Sequence, residues 1–161
     1  MNSPVIRSIQ TDDNPFVAKI IRKVLEDFGV PKIGTAYADI SLDRMYETYQ
    51  APSSAYYVLE ERGVIIGGGG VAPLANYEGP VCELQKMYFL PEARGRGLGT
   101  QMIDICLKKA QSLGFEKCYL ETMSYMEAAQ KLYKKYGFQY LDGPMGDTGH
   151  HACGVHMILE I

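Results

Sequence analysis

The sequence predicts an α/β (α+β) fold in which one mixed sheet carries helices on both faces, and three observations lead there. Strand-like and helix-like hydrophobic periods alternate as strand, two helices, three strands, helix, strand, helix and two strands. A glycine-rich loop, Arg94-Gly95-Arg96-Gly97-Leu98-Gly99-Thr100, separates a strand from a long helix. The strands flanking that helix are expected to be parallel and joined by a right-handed crossover. At 161 residues the chain is expected to form one domain, residues 1–161, burying roughly two-thirds of its unfolded surface.

Taken in order, residues 5–9 form an apolar strand. Asn14 is placed to cap a helix with Pro15 at its first position, closed after Phe28 by Gly29. Phe16, Val17, Ile20, Ile21, Val24, Leu25 and Phe28 share one face of that helix, so that face is expected to be core. Residues 29–40 read as a loop, and Ser41 is expected to cap a short helix running to about Tyr49. A turn at Pro52-Ser53-Ser54 leads into a hairpin, residues 55–61 and 64–73, joined by Arg62-Gly63. The run Gly67 to Gly70 predicts a bulge or a close backbone approach in its second strand.

Residues 82–90 form the next strand. The helix from Thr100 to Ser112 should bury Met102, Ile103, Cys106, Ala110 and Leu113 before Gly114 ends it. A strand at 117–122 follows. Ser124 and Glu127 then form a capping box for a helix ending at Gly137, and residues 138–141 and 152–161 are the closing strands.

Composition narrows the function. A formal charge of −3 argues against a nucleic-acid or anionic-membrane surface, so any anion site must be local. Cys82, Cys106, Cys118 and Cys153 lie within apolar patterns, which suits buried thiols in a reducing compartment. Met1-Asn2-Ser3-Pro4 begins no signal peptide, and no apolar run approaches the ~20 residues of a membrane span. A cytoplasmic protein with no membrane partner is expected.

The chemistry centres on the glycine loop. Its alternate glycines let backbone N–H groups turn inward, and the following helix aims free amides and the positive end of its dipole at the same point, which suits a pyrophosphate; the alternative is an ordinary glycine-rich turn. A P-loop is excluded because no Lys follows the last glycine. The dinucleotide fingerprint is disfavoured because Thr100 stands where its third glycine belongs.

Arg94, Gly97 and Gly99 fit Gln/Arg-x-x-Gly-x-Gly/Ala, and Ala128-Ala129-Gln130-Lys131-Leu132-Tyr133-Lys134-Lys135-Tyr136-Gly137-Phe138 forms a second block. Together these resemble the GNAT superfamily of acyl-CoA-dependent N-acetyltransferases, over roughly residues 81 to 141. The resemblance implies a mostly antiparallel sheet with a central, splayed parallel strand pair. It also implies acetyl-CoA as co-substrate and a small-molecule or peptide amine as acceptor; no metal is expected. It leaves a homodimer open.

By that resemblance Arg94, Gly95, Arg96, Gly97, Leu98, Gly99 and Thr100 wrap the pyrophosphate, while the strand edge at Met87, Tyr88 and Phe89 pairs with the pantetheine amides. Arg94 and Arg96 are expected to neutralise phosphate charge directly, with a solvated loop Arg as the alternative for each. Tyr133 is the candidate acid for the departing thiolate, with helix packing as its alternative. Many family members carry Asn seven residues before this Tyr, where Met126 stands here, so that contact is lost or replaced.

An ammonium acceptor must lose a proton. Glu83 is the first candidate base, six residues before Phe89 and expected on the same side of the strand; its alternative is a solvated or ion-paired Glu. Glu121 is the second candidate, and a water chain with no single base competes with both. His150, His151, Cys153 and His156 suggest a metal by type, but an extended segment would turn them to opposite faces. His151 is the more plausible pocket residue. Tyr37, Tyr46, Tyr49, Tyr56 and Tyr57 could line the acceptor site, although core and surface positions suit most of them. The runner-up reading is a non-catalytic acyl-CoA-binding module; a metal enzyme built on the His/Cys tail is the weakest.

Overall fold

A computed structural model describes residues 3–161; Met1 and Asn2, where the leader-free start was expected, lie outside the described residues. Seven strands form one sheet: β1 (Val5–Ser8), β2 (Ala55–Glu61), β3 (Val64–Pro73), β4 (Val81–Phe89), β5 (Lys117–Thr122), β6 (Gln139–Leu141) and β7 (Val155–Glu160), in the order β1-β2-β3-β4-β5-β7-β6. The β4–β5 neighbours are parallel and every other neighbouring pair is antiparallel.

The helices are α1 (Asn14–Asp27), α2 (Met45–Thr48), α3 (Leu98–Ser112) and α4 (Glu127–Tyr136). On one face α1 and α2 bury Val17, Ile21, Val24, Leu25 and Met45 with Tyr49, Tyr56 and Val58. On the other, α3 and α4 bury Met102, Ile103, Cys106, Ala110 and Tyr133 with Cys82, Cys118 and Phe138. The mixed sheet with helices on both faces is as the sequence predicts.

Several local expectations are corrected. Asn14 is the first residue of α1 rather than its cap; its side chain accepts from the Tyr46 N–H at 2.8 Å and donates to Glu47 at 2.7 Å, tying α1 to α2. Phe16 is 60 % exposed and Phe28 also faces solvent, because the buried stripe is fully supplied by Val17, Ile20, Ile21, Val24 and Leu25. Ser41 caps nothing: it lies in a 3-10 segment, Ile40–Arg44, that leads into the single turn of α2. The Ser124–Glu127 capping box does not form, since α4 begins only at Glu127 with Met126 before it. Gln130 instead donates to the Met123 and Ser124 carbonyls, at 2.9 and 3.0 Å. The last strand starts at Val155, leaving Ala152–Gly154 outside it.

The glycine run of β3 serves close approach. The Tyr56 ring lies against Gly68 and Gly70, Phe89 against Gly67, and Met87 with Met102 against Gly69. A Cβ at Gly70 would stand 2.5 Å from the Ala55 carbonyl oxygen and 2.6 Å from the Tyr56 ring. Gly70→Ala should therefore destabilise the protein by about 2 kcal/mol or more, since neither obstacle is a freely moving side-chain end. Urea denaturation would measure this, and a midpoint within error of wild type would refute it.

The register also reveals a bulge. Gly68 pairs with Tyr88 and Gly70 with Gln85, so Lys86 and Met87 together oppose the single residue Gly69. Lys86 takes a left-handed backbone conformation, φ 48°. Its carbonyl accepts from the Tyr56 hydroxyl at 2.7 Å.

Candidate active site

The parallel pair holds together only at its start. Val81, Cys82 and Glu83 pair with Lys117, Cys118 and Tyr119, after which β5 pairs with β7 alone. From Leu84 onward β4 therefore presents an open edge toward the gap. Two cavities occupy it.

The larger, about 370 Å³, is mainly apolar and is lined by Met87, Tyr88, Phe89, Arg94, Gly95, Gly97, Leu98, Gly99 and Thr100, closed by Phe28, Leu132 and Tyr133. The structure thus brings together all the sequence-predicted cofactor residues except Arg96. That side chain is held elsewhere by a two-pronged ion pair with Glu61, at 2.5 and 3.1 Å. Arg94 donates twice to the Phe89 carbonyl, at 2.8 and 3.1 Å, with its guanidinium 5.2 Å from the Phe28 ring centre.

At the mouth of this cavity Gly95 and Gly97 take φ of 72° and 76°, conformations in which L side chains are strained. Gly97 precedes α3, and no side chain caps that terminus. The first α-helical bond there, from the Gln101 N–H to the Gly97 carbonyl at 3.3 Å, leaves the preceding amides free for an anion. The chain's own donors, open strand edge and apolar walls thus fit a phosphorylated ligand with an extended amide arm.

The smaller cavity, about 70 Å³, is lined by Glu83, Gln85, Lys86, Glu121, His150 and Cys153 together with apolar residues of α1, β5 and α4. Met87, Tyr88, Met126, Ala129 and Tyr133 line both cavities and form their common wall. Met126, at the position where Asn was expected by resemblance, belongs to that wall.

The bulge reverses the alternation of side chains between the two faces of the sheet partway along β4. Gln85 reaches Tyr49 and Lys86 reaches Asp39, and Tyr88 packs with the α1 core. Met87 and Phe89 pack with the α3 core. The expectation that Glu83 and Phe89 share a side is therefore wrong, because one inserted residue reverses the alternation.

Glu83 is 5 % exposed, and its carboxylate accepts from the Gln85 amide at 2.7 Å, which in turn accepts from the Tyr49 hydroxyl at 2.6 Å. Burial, with Glu121 adding to it, pushes the Glu83 carboxyl up to about 7 despite the Gln85 bond. Glu121 accepts from the Tyr119 hydroxyl at 2.7 Å and from Thr148 at 2.5 Å. The buried Tyr133 ring packs edge-on against Phe138, and burial pushes its phenol well above the usual range, so it stays protonated at neutral pH.

Sequence reasoning missed a charged cluster. His150 Nε2 lies 3.0 Å from both Asp39 carboxylate oxygens, and its Nδ1 lies 3.8 Å from Glu121. Lys86 Nζ, on a side chain 8 % exposed, lies 3.0 Å from Asp39. Burial is the largest influence on His150 and lowers it, but the hydrogen bond to Asp39 and the charges of Asp39 and Glu83 together raise it on balance. Asp39, which burial would raise, is held low by His150 and Lys86.

The pocket histidine is thus His150 rather than His151, which is exposed. The alternation argument also misplaced this segment, since residues 150–154 are not strand. No signal in the sequence joins Asp39, Lys86 and His150, which come from separate loops and a bulge. None of Tyr37, Tyr46, Tyr49, Tyr56 and Tyr57 lines the small cavity; Tyr49 and Tyr56 are core, and Tyr37 bonds to Glu26. Burial pushes the Cys106 and Cys153 thiols up to about 12 and Cys118 well above its usual value, so none offers a thiolate at neutral pH. No helix of the described residues is long and apolar enough to cross a membrane.

A family model described as the acetyltransferase (GNAT) family matches residues 19–138. The chain is 43 % identical, over 99 % of its own length and 96 % of the other, to the uncharacterized N-acetyltransferase YjgM of Escherichia coli K12. Among solved structures it resembles an acetyltransferase of the GNAT family from Staphylococcus aureus Mu50, with a TM-score of 0.87 at 16 % identity, covering 98 % of this chain and 99 % of that one. It also resembles yncA from Salmonella typhimurium, solved with its cofactor acetyl-CoA. There the TM-score is 0.79 at 21 % identity, covering 99 % of this chain and 94 % of that one.

Proposed function

This chain belongs to the GNAT acetyltransferase family and is an N-acetyltransferase; from that premise we propose that it acetylates a primary amine by direct attack in a ternary complex, with residues 1–161 acting as one catalytic domain. The observation that carries the reading is the common wall of the two cavities. An apolar cavity with a phosphate-suited mouth and a small cavity with a buried carboxyl meet at Tyr133, Met87 and Tyr88.

When bound, acetyl-CoA supplies a thioester carbonyl to which the amine nitrogen bonds as the carbon–sulfur bond breaks. The free amides at the start of α3 and the loop glycines hold its phosphates, and the open edge at Met87, Tyr88 and Phe89 aligns its amide arm. Glu83 takes one proton from the arriving ammonium, for which a carboxyl near 7 is well matched at neutral pH. Tyr133 gives its phenolic proton to the departing sulfur and recovers one from the nitrogen, so that one proton is released per amide formed. No acyl-enzyme is needed, consistent with the raised thiols.

Tyr133→Phe keeps the ring packing and removes only the hydroxyl. It should lower kcat about 10- to 100-fold, with acetyl-CoA affinity changed less than about twofold. Acetyl-CoA titration combined with amine-dependent thiol release measures both. Unchanged kcat would remove the acid role, and binding without release for any amine would favour a non-catalytic sensor.

A further inference from the structure

The charges around the small cavity are unevenly matched. The cations that face it, Lys86 and His150, both point at Asp39, which bonds Lys86 Nζ and His150 Nε2 at 3.0 Å. The remaining ring nitrogen of His150 faces Glu121 rather than open space. Glu83, in contrast, lines the cavity with, among the described residues, an amide as its only hydrogen-bonding partner and no cation bonded to it. Among the described residues the cavity thus has no cation free for an incoming carboxylate, and it has a buried carboxyl free for an incoming cation. A ligand carrying both charges on adjacent atoms would bury its anion beside Glu83 and Glu121 with nothing to pair it.

We propose that the acceptor is a small alkyl or arylalkyl ammonium compound with no carboxylate beside its amino group, so that α-amino acids are rejected by charge. Asp39 is the specificity residue, acting by holding Lys86 and His150 in ion pairs, with Glu121 facing the second nitrogen of His150. The assignment rests on the acetyl-transfer reading of the same site.

The test uses three acceptors sharing one side chain: isoamylamine, leucinamide and leucine. Thiol release with acetyl-CoA should give kcat/KM for leucine roughly 100-fold or more below isoamylamine, with leucinamide within about tenfold of isoamylamine. Leucine within tenfold of isoamylamine overturns the proposal. So does leucinamide as poor as leucine, which would point to size, or turnover of none of the three.

A parallel acetyl-CoA titration separates the two levels. Binding without turnover of any of these amines sinks only the acceptor assignment, whereas no binding removes the acetyl-transfer reading and this proposal with it. Asp39→Asn, checked for folding by thermal melt, should narrow the gap between leucine and isoamylamine at least tenfold by freeing Lys86 and His150. An unchanged gap in a folded variant overturns the role of Asp39. If the variant does not fold, the wild-type series decides.

Discussion

Gly97→Glu should abolish acetyl-CoA binding, weakening it at least ~100-fold in a calorimetric titration, while the variant still folds with a thermal melt lowered by only about 2–8 °C. Nothing lies within 4 Å of a Cβ built at Gly97, so the new side chain has room to stand in the mouth of the larger cavity. There it would place a carboxylate at the uncapped start of α3, occupying the amides and repelling a pyrophosphate. The backbone cost of a side chain at φ 76° is separate, about 1–2 kcal/mol, and Gly97→Ala measures it alone. Ala should weaken binding no more than about tenfold, so charge and strain are distinguished by the pair. Affinity within a few-fold of wild type in the Glu variant would mean that the loop is only a turn.

The second large effect concerns Glu83. Glu83→Gln preserves size and the neighbouring amide contacts yet cannot accept a proton, and should lower kcat/KM by about 100- to 1000-fold. The sign of the pH dependence follows from burial. A carboxyl raised to about 7 is protonated and idle as a base below that pH, and ionised and active above it, so wild-type kcat/KM should rise through pH 7.

Glu121, Lys86 and His150 face Glu83 across the cavity, the first raising its carboxyl and the two cations lowering it. The Gln variant, which lacks the titrating group, identifies the limb as belonging to Glu83 if the rise near 7 disappears. A variant that keeps wild-type rates, or keeps that limb, would transfer the role to Glu121 or to water.

The sheet, its element order and the glycine loop were legible because they rest on periodicity and on residues that admit few conformations. Tyr133, Glu83, Met87, Tyr88 and Phe89, and Arg94 to Thr100 apart from Arg96, fell around adjoining cavities for the same reason: each lies on a strand or helix whose direction the pattern sets, or on the loop that joins two of them. What escaped depends on single-residue events. The extra residue at Lys86–Met87 leaves no mark in the hydrophobic pattern, yet it reverses which side of β4 faces each helix layer. Arg96 looked equivalent to Arg94 until Glu61, distant in sequence, was seen to hold it. The partnership of Asp39 with His150 spans 111 positions between two irregular segments, where no periodicity carries information.

The bulge at Lys86 also makes the two halves of the site separable under variation. The larger cavity's mouth is mostly main chain of one loop and one helix start, so most side-chain replacements elsewhere leave it intact. The acceptor cavity is lined by Lys86, Glu121 and His150, with Asp39 bonded to Lys86 and His150 from outside the lining; the four come from four places in the chain, none of which contributes to that mouth. Acceptor preference in such a scaffold can therefore drift, or be engineered, by point changes at those positions without rebuilding how the acyl donor is held. A library confined to them would sample new specificities on a constant donor site.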